Sequence, residues 1–89
     1  MLEHELTISN KLGLHARASA KLVQMLQGFQ CSAWLVYRKR EVNAKSIMGV
    51  MMLAAGVGTS IQLRTDGADE QAAMDAMIAL FERKFDEGA

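Results

Sequence analysis

Leu2, Leu6 and Ile8 alternate with Glu3, Glu5 and Thr7, the period of a strand with one wet face. Asn10-Lys11-Leu12-Gly13 breaks that alternation as a turn. From Ala16 to Gln27 the period becomes helical, with Ala18, Leu22, Met25 and Leu26 on one face and Gly28 as the stop. Cys31, Ala33 and Leu35 then alternate with Ser32, Trp34 and Val36 in a second strand, which places Trp34 on the face away from the core. Tyr37-Arg38-Lys39-Arg40 reads as a turn and Glu41-Val42-Asn43-Ala44 as a short third strand. A short helix begins at Ser46 and carries Ile47, Val50 and Met51. Thr59 to Thr65 predicts a fourth strand with Ile61 and Leu63 inward. The last helix starts near Asp69-Glu70, buries Met74, Met77, Ile78, Phe81 and Phe85, and closes on Arg83-Lys84, acid first and base last along its dipole. The order βαββαβα predicts an α+β fold, a four-stranded antiparallel sheet with helices on one face.

Length confines this pattern to one small domain over residues 1–89, without separate substrate and cofactor lobes. With 51% hydrophobic but only 6% aromatic residues, the core is aliphatic. Cys31 is the only cysteine, which excludes an intrachain disulfide scaffold and a cysteine metal cluster and fits a reducing cytoplasm. It falls among the core positions and reads as an inert buried thiol. The acidic start has no long apolar run, so neither a signal peptide nor a membrane span is expected, and the expected location is cytoplasmic. Zero net charge argues against a generic nucleic-acid binder. The charges are nonetheless segregated: residues 1–45 carry +4 and residues 46–89 carry −4, a polarity that suits a basic surface for acidic partners or a mere scatter of solvated side chains. His4 reads as a strand residue, and no grouping of residues calls for a metal or a nucleotide cofactor.

Chemistry concentrates at Gly13-Leu14-His15-Ala16-Arg17-Ala18-Ser19-Ala20. His15 lies where a glycine-bearing turn enters the first helix, and the backbone N–H groups of Ala16, Arg17 and Ala18 have no intrahelical partners there. An imidazole at the positive end of a helix dipole is biased toward its neutral, nucleophilic form, and an anion built on it finds amide donors. Arg17 adds a permanent cation whose planar fork suits phosphate oxygens. The plainer alternative is that His15 caps the helix and Arg17 is solvated.

The run Gly-Leu-His-Ala-Arg-Ala-Ser-Ala resembles the phosphohistidine segment of the HPr family, the phosphocarriers of the bacterial phosphotransferase system. Val42-Asn43-Ala44-Lys45-Ser46-Ile47-Met48-Gly49-Val50-Met51 resembles that family's second signature, around its regulatory serine, about thirty residues further on. The resemblance covers the whole chain and implies the family's open-faced β-sandwich. It also implies that His15 accepts phosphate on Nδ1 from enzyme I and passes it to an EIIA-type protein or domain, with Arg17 steadying the phosphoryl group. One departure is Ala18, where most members have proline, a residue preset for a first helical turn.

Ser46 is a preferred N-cap residue, and the resemblance adds the alternative that an HPr kinase/phosphorylase modifies it. Ile47, Met48 and Met51 have helical spacing and suit a core, yet Met48, Met51 and Met52 crowd a short helix too closely for all to point inward. By the resemblance, Met48 and Met51 lie beside His15 on a docking face with Arg17, Ala20 and Lys21. Flexible thioethers suit a carrier that meets several partners. The chain is expected to act as a monomer. Two other readings stand beside the carrier: an HPr-like regulatory binding module controlled through Ser46, and a generic α/β binding domain. Met25-Leu26-Gln27-Gly28-Phe29 and Ile78-Ala79-Leu80-Phe81 resemble the nitrogen branch of the family, whereas Lys45-Ser46-Ile47-Met48-Gly49 resembles the sugar branch.

Overall fold

In the computed structural model, which describes residues 1–87, apolar alternation and helical period become β1 (Leu2–Thr7), α1 (Ala16–Leu26), β2 (Ser32–Tyr37), β3 (Arg40–Asn43), α2 (Ile47–Met52), β4 (Ser60–Asp66) and α3 (Glu70–Glu82). The sheet runs β1-β4-β2-β3, and each neighbouring pair is antiparallel. β1 and β2 are therefore parallel across a gap that β4 fills, and β3 and β4 are parallel across β2. Two split βαβ crossovers interleave, and both place their helices on the same face. α3 packs on β1 and β4, and α1 packs between α2 and α3.

Most inward residues are those the pattern indicated, although in α1 Met25 is only partly buried while Ser19 and Val23 are buried. Ala33 and Leu35 of β2 meet Leu63 and Ile61 of β4, while Ala18, Leu22 and Leu26 of α1 and Met74, Met77 and Phe81 of α3 close over them, all buried. Ile78 packs at the margin of this core, partly buried. Trp34 stands half-buried on the open face, between Asn43 of β3 and Arg64 of β4. His4 pairs with Leu63 at the sheet edge and is exposed. Cys31 is buried, and burial followed by the neighbouring Asp69 carboxylate pushes its thiol up from the ordinary value. None of the helices among the described residues is long and apolar enough to cross a membrane.

Several boundaries differ from the sequence reading. β3 begins at Arg40 because Arg38 (φ 51°) and Lys39 (φ 65°) alone make the reversal, both left-handed, as a two-residue hairpin requires. β4 runs one residue later than expected, to Asp66, and buries Thr65, whose hydroxyl donates to the Glu70 carbonyl at 3.0 Å. Gly28 is not a left-handed stop, since it has no positive φ. α1 instead tightens at its end, with Gln27 N–H bonding to the Gln24 carbonyl and Gly28 N–H to the Met25 carbonyl. In α2 only Val50 is buried; Ile47 and Met51, expected to share its face, are exposed.

The ends of α3 depart most. Acid stands first as expected, with Glu70 in the first turn and its Oε1 accepting the Gly67 N–H at 3.0 Å, while the Asp69 carboxylate turns away to accept the N–H groups of Gln30 and Cys31, at 2.8 Å each, and so fixes the entry to β2. Gly67 (φ 149°) allows this approach, because a Cβ there would stand 2.7 Å from the Cα of Cys31. At the other end the helix stops at Glu82, with no base in its last turn, so Arg83 and Lys84 do not face the dipole as expected. Lys84, Phe85 and Asp86 take left-handed angles (φ 55°, 55° and 60°) and form a short reverse-handed turn. That turn buries Phe85 completely and aims the following residues back toward α1.

Candidate functional site

Gly13 sets the site by its conformation. It has φ 64°, and a Cβ would stand 2.6 Å from the Ala55 carbonyl oxygen, so no other residue lets the loop lie so close to residues 55–56. Leu14 is buried next to it, its N–H donating to the same Ala55 carbonyl at 3.0 Å, and Ser19 Oγ donates to the Leu14 carbonyl at 3.3 Å. Asn10, fully buried, donates from Nδ2 to the Gly13 carbonyl at 2.7 Å. The chain thus reaches His15 gripped on both sides.

His15 is the N-cap of α1, with extended angles (φ −78°, ψ 179°), and its carbonyl accepts the Ser19 N–H at 2.9 Å. Its side chain does not cap. Among the described residues the amides of Ala16, Arg17 and Ala18 have no hydrogen-bond acceptor, as expected for a first helical turn. Ala18 is fully buried, and because its amide has no acceptor a proline ring at this place would forfeit no bond.

The imidazole, 28% exposed, binds the Glu87 carboxylate through Nε2. The other Glu87 oxygen accepts Asn10 Nδ2–H at 3.2 Å. Burial works to raise the Glu87 pKa, but the hydrogen bonds from His15 and Asn10 and the charges of His15 and Arg17 outweigh it, and the carboxyl is held below its usual range. Lys21 pins the same turn, donating to the Phe85 carbonyl at 2.9 Å and lying 3.6 Å from Asp86. Lys11, Leu12, His15, Ala16, Arg17, Lys21, Asp86 and Glu87 line one open cleft. Arg17 is exposed in it and forms no ion pair among the described residues.

The structure therefore brings His15, Arg17 and Lys21 together, with Ala20 half-buried on the same helix. Ser46 is the N-cap of α2, its Oγ accepting the Gly49 N–H at 3.1 Å. Neither Ser46 nor Met48 lines the His15 cleft, although α2 packs against α1. Met48 is 70% exposed, and Ile47 and Met51 are exposed beside it. Asp86 and Glu87 were missed by the sequence reading. Their only signal was acid in the −4 half of a chain whose first half is +4.

An antiparallel sheet that holds a histidine at the head of helix amides without acceptors, with a guanidinium in the same cleft that is unpaired among the described residues, has the chemistry of a class of protein that can carry an anion on a ring nitrogen. Comparison with known proteins returns that class. The description "PTS HPr component phosphorylation site" matches residues 2–83, and the chain belongs to the HPr family of phosphocarriers of the phosphotransferase system. It is 63% identical over 87 residues to the phosphocarrier protein HPr of Xylella fastidiosa (strain Temecula1), covering 98% of each chain. To that of Cupriavidus necator it is 58% identical over 88 residues, covering 99% of each. The crystal structure of HPr-C-His from Thermoanaerobacter tengcongensis superposes with a TM-score of 0.94 at 42% identity, covering 98% of each chain.

Proposed function

We propose that His15 is the phosphohistidine of this carrier and that Nδ1, the ring nitrogen nearer the backbone, takes the phosphoryl group. The observation that carries this reading is the N-cap position of His15 ahead of the unpartnered amides of Ala16, Arg17 and Ala18. A phosphoryl group on that ring meets those donors and the positive end of the α1 dipole. Arg17 supplies two parallel N–H groups for its oxygens. Enzyme I is the donor and an EIIA-type protein or domain the acceptor. The phosphorus–nitrogen bond to the donor breaks as the bond to Nδ1 forms, and the reverse exchange follows at the acceptor. The protein is a relay rather than an enzyme, because each half of the cycle leaves it chemically changed.

Ala20, Lys21, Ile47, Met48 and Met51 form the docking face, a reading supported by the exposure of Ile47, Met48 and Met51. Ser46 is the regulatory phosphorylation site wherever an HPr kinase/phosphorylase is present. One copy suffices, since His15, Arg17 and the amides come from one chain. No nucleic acid or membrane takes part in this cytoplasmic cycle.

Incubation with enzyme I and phosphoenolpyruvate tests the assignment. The wild-type chain gains an acid-labile phosphate, and His15→Ala folds and gains none. Acid-labile label retained in His15→Ala would remove His15 from the role.

A further inference from the structure

The acidic turn after α3 is not explained by docking or by the helix amides, yet it meets the reacting ring. We propose that Glu87 is a positioning residue for phosphotransfer, holding His15 by Nε2 so that Nδ1 keeps the lone pair and the phosphorylated ring keeps its balancing charge. This inference rests on the assignment of His15 as the phosphohistidine.

A carboxylate only accepts hydrogen bonds, so the nitrogen bound to Glu87 is the one that carries the proton. In the neutral ring Nδ1 is then the nitrogen with the free lone pair, the nucleophilic one. When it takes a phosphoryl group, the electron pair of Nδ1 forms the new bond, the Nε2 proton stays, and the ring becomes a phosphoimidazolium. Its positive charge lies against the Glu87 carboxylate. When the group leaves, the bonding pair returns to Nδ1 and the ring is neutral again. No proton is gained or lost in either direction.

The carboxylate is a built part of the site. Asn10, fully buried, bridges from one nitrogen to the Gly13 carbonyl at 2.7 Å and to Glu87 at 3.2 Å, so one side chain ties the loop that delivers His15 to the group that holds its ring. The left-handed turn carrying Glu87 is anchored by buried Phe85 and by Lys21 on the Phe85 carbonyl. The other charged groups facing the ring are Arg17 and Lys21 from α1, Lys11 from the preceding loop and Asp86 from the turn. The basic ones line the same cleft as the ring, and the carboxylate of Glu87 sits on Nε2, the ring nitrogen opposite Nδ1.

Glu87→Gln keeps size and removes charge; Glu87→Ala removes both. The full chain is followed in two ways: nitrogen-15 spectra of the unphosphorylated His15 ring, and the equilibrium of phosphoryl exchange with enzyme I. The wild type shows an Nε2–H proton sheltered from water exchange. In Glu87→Ala that proton exchanges rapidly, while Glu87→Gln can keep it by accepting through its amide oxygen; in both variants the equilibrium moves about tenfold toward phosphorylated enzyme I, as expected for the loss of one charge-assisted contact. Unchanged ring spectra and an unchanged equilibrium would overturn the role of Glu87 while leaving the carrier intact. A wild-type chain that takes no phosphate would overturn the carrier assignment itself, whatever the ring spectra show.

Discussion

Phe85 sets its ring edge-on against Phe81, 4.8 Å between centroids and 69° between planes, across a change of backbone hand. A continuous helix would carry Phe85 further along α3. The left-handed turn instead folds it into the core and brings the next residues to His15. Phe85→Ala should lose about 3–5 kcal/mol of stability, the usual cost of removing a buried phenyl ring. That is a large share of a small domain's total. A denaturant titration reads the loss directly, and a midpoint unchanged from wild type would show that Phe85 does not anchor the turn.

The β2–β3 reversal offers the opposite sign. Arg38 and Lys39 both pay for left-handed backbone, but Arg38 also lies over the Tyr37 ring, 5.1 Å from its centroid. Lys39 has no such recompense. Lys39→Gly should therefore stabilise the protein by about 1 kcal/mol, visible as a higher melting temperature.

Arg17 is exposed and pairs with no acid among the described residues, so its replacement leaves the fold intact. Arg17→Glu puts like charge beside the phosphoryl oxygens and should slow transfer from enzyme I by roughly 10²- to 10³-fold. Rapid-quench measurement of His15 phosphorylation decides it; a wild-type rate would mark Arg17 as solvated surface.

Ser46 caps α2 through one accepted N–H, and aspartate can accept the same bond. Ser46→Asp should melt close to the wild-type temperature, whereas Ser46→Ala should lose about 1 kcal/mol. If the face beside α2 meets an acidic surface of enzyme I, Ser46→Asp also slows phosphorylation of His15, and added salt narrows the gap. Normal transfer at low salt would take Ser46 off the docking face.

Acid should loosen the join between α3 and β2. Hydrogen bonds, first from the Gln30 N–H and also from Cys31, hold the Asp69 carboxyl below its usual range despite desolvation. A depressed carboxylate stabilises the fold fully above its unfolded value of about 3.9 and loses that contribution as pH falls through the folded value. Asp69→Asn should flatten this acid limb. Stability measured from pH 5 downward, wild type against variant, gives the comparison; parallel curves would show that the carboxylate contributes nothing.

The order of elements was legible because each change of hydrophobic period marks a change of element, and the inward faces of α1, β2 and β4 follow from that period alone. His15 was legible for the same reason: Gly13 and the onset of helical spacing place it at a helix start. The turn over Lys84, Phe85 and Asp86 was not, because left-handed geometry there has no glycine to announce it. Asn10 and Glu87 stand 77 residues apart, and local pattern carries no record of such a contact. The contacts of Asp69 were hidden for a related reason: its partners belong to a segment 38 and 39 residues earlier.

The strand order also governs how the chain can fold while it is being made. β1 bonds to β4 and to no other strand, with Leu2 opposite Thr65 and Thr7 opposite Ser60. During synthesis Leu2, Leu6 and Ile8 leave the ribosome early and wait without a partner until Asp66 has followed them out. Only the β2–β3 hairpin can close from neighbouring sequence. The sheet is therefore completed only after most of the chain has been made, when β4 slots between β1 and β2.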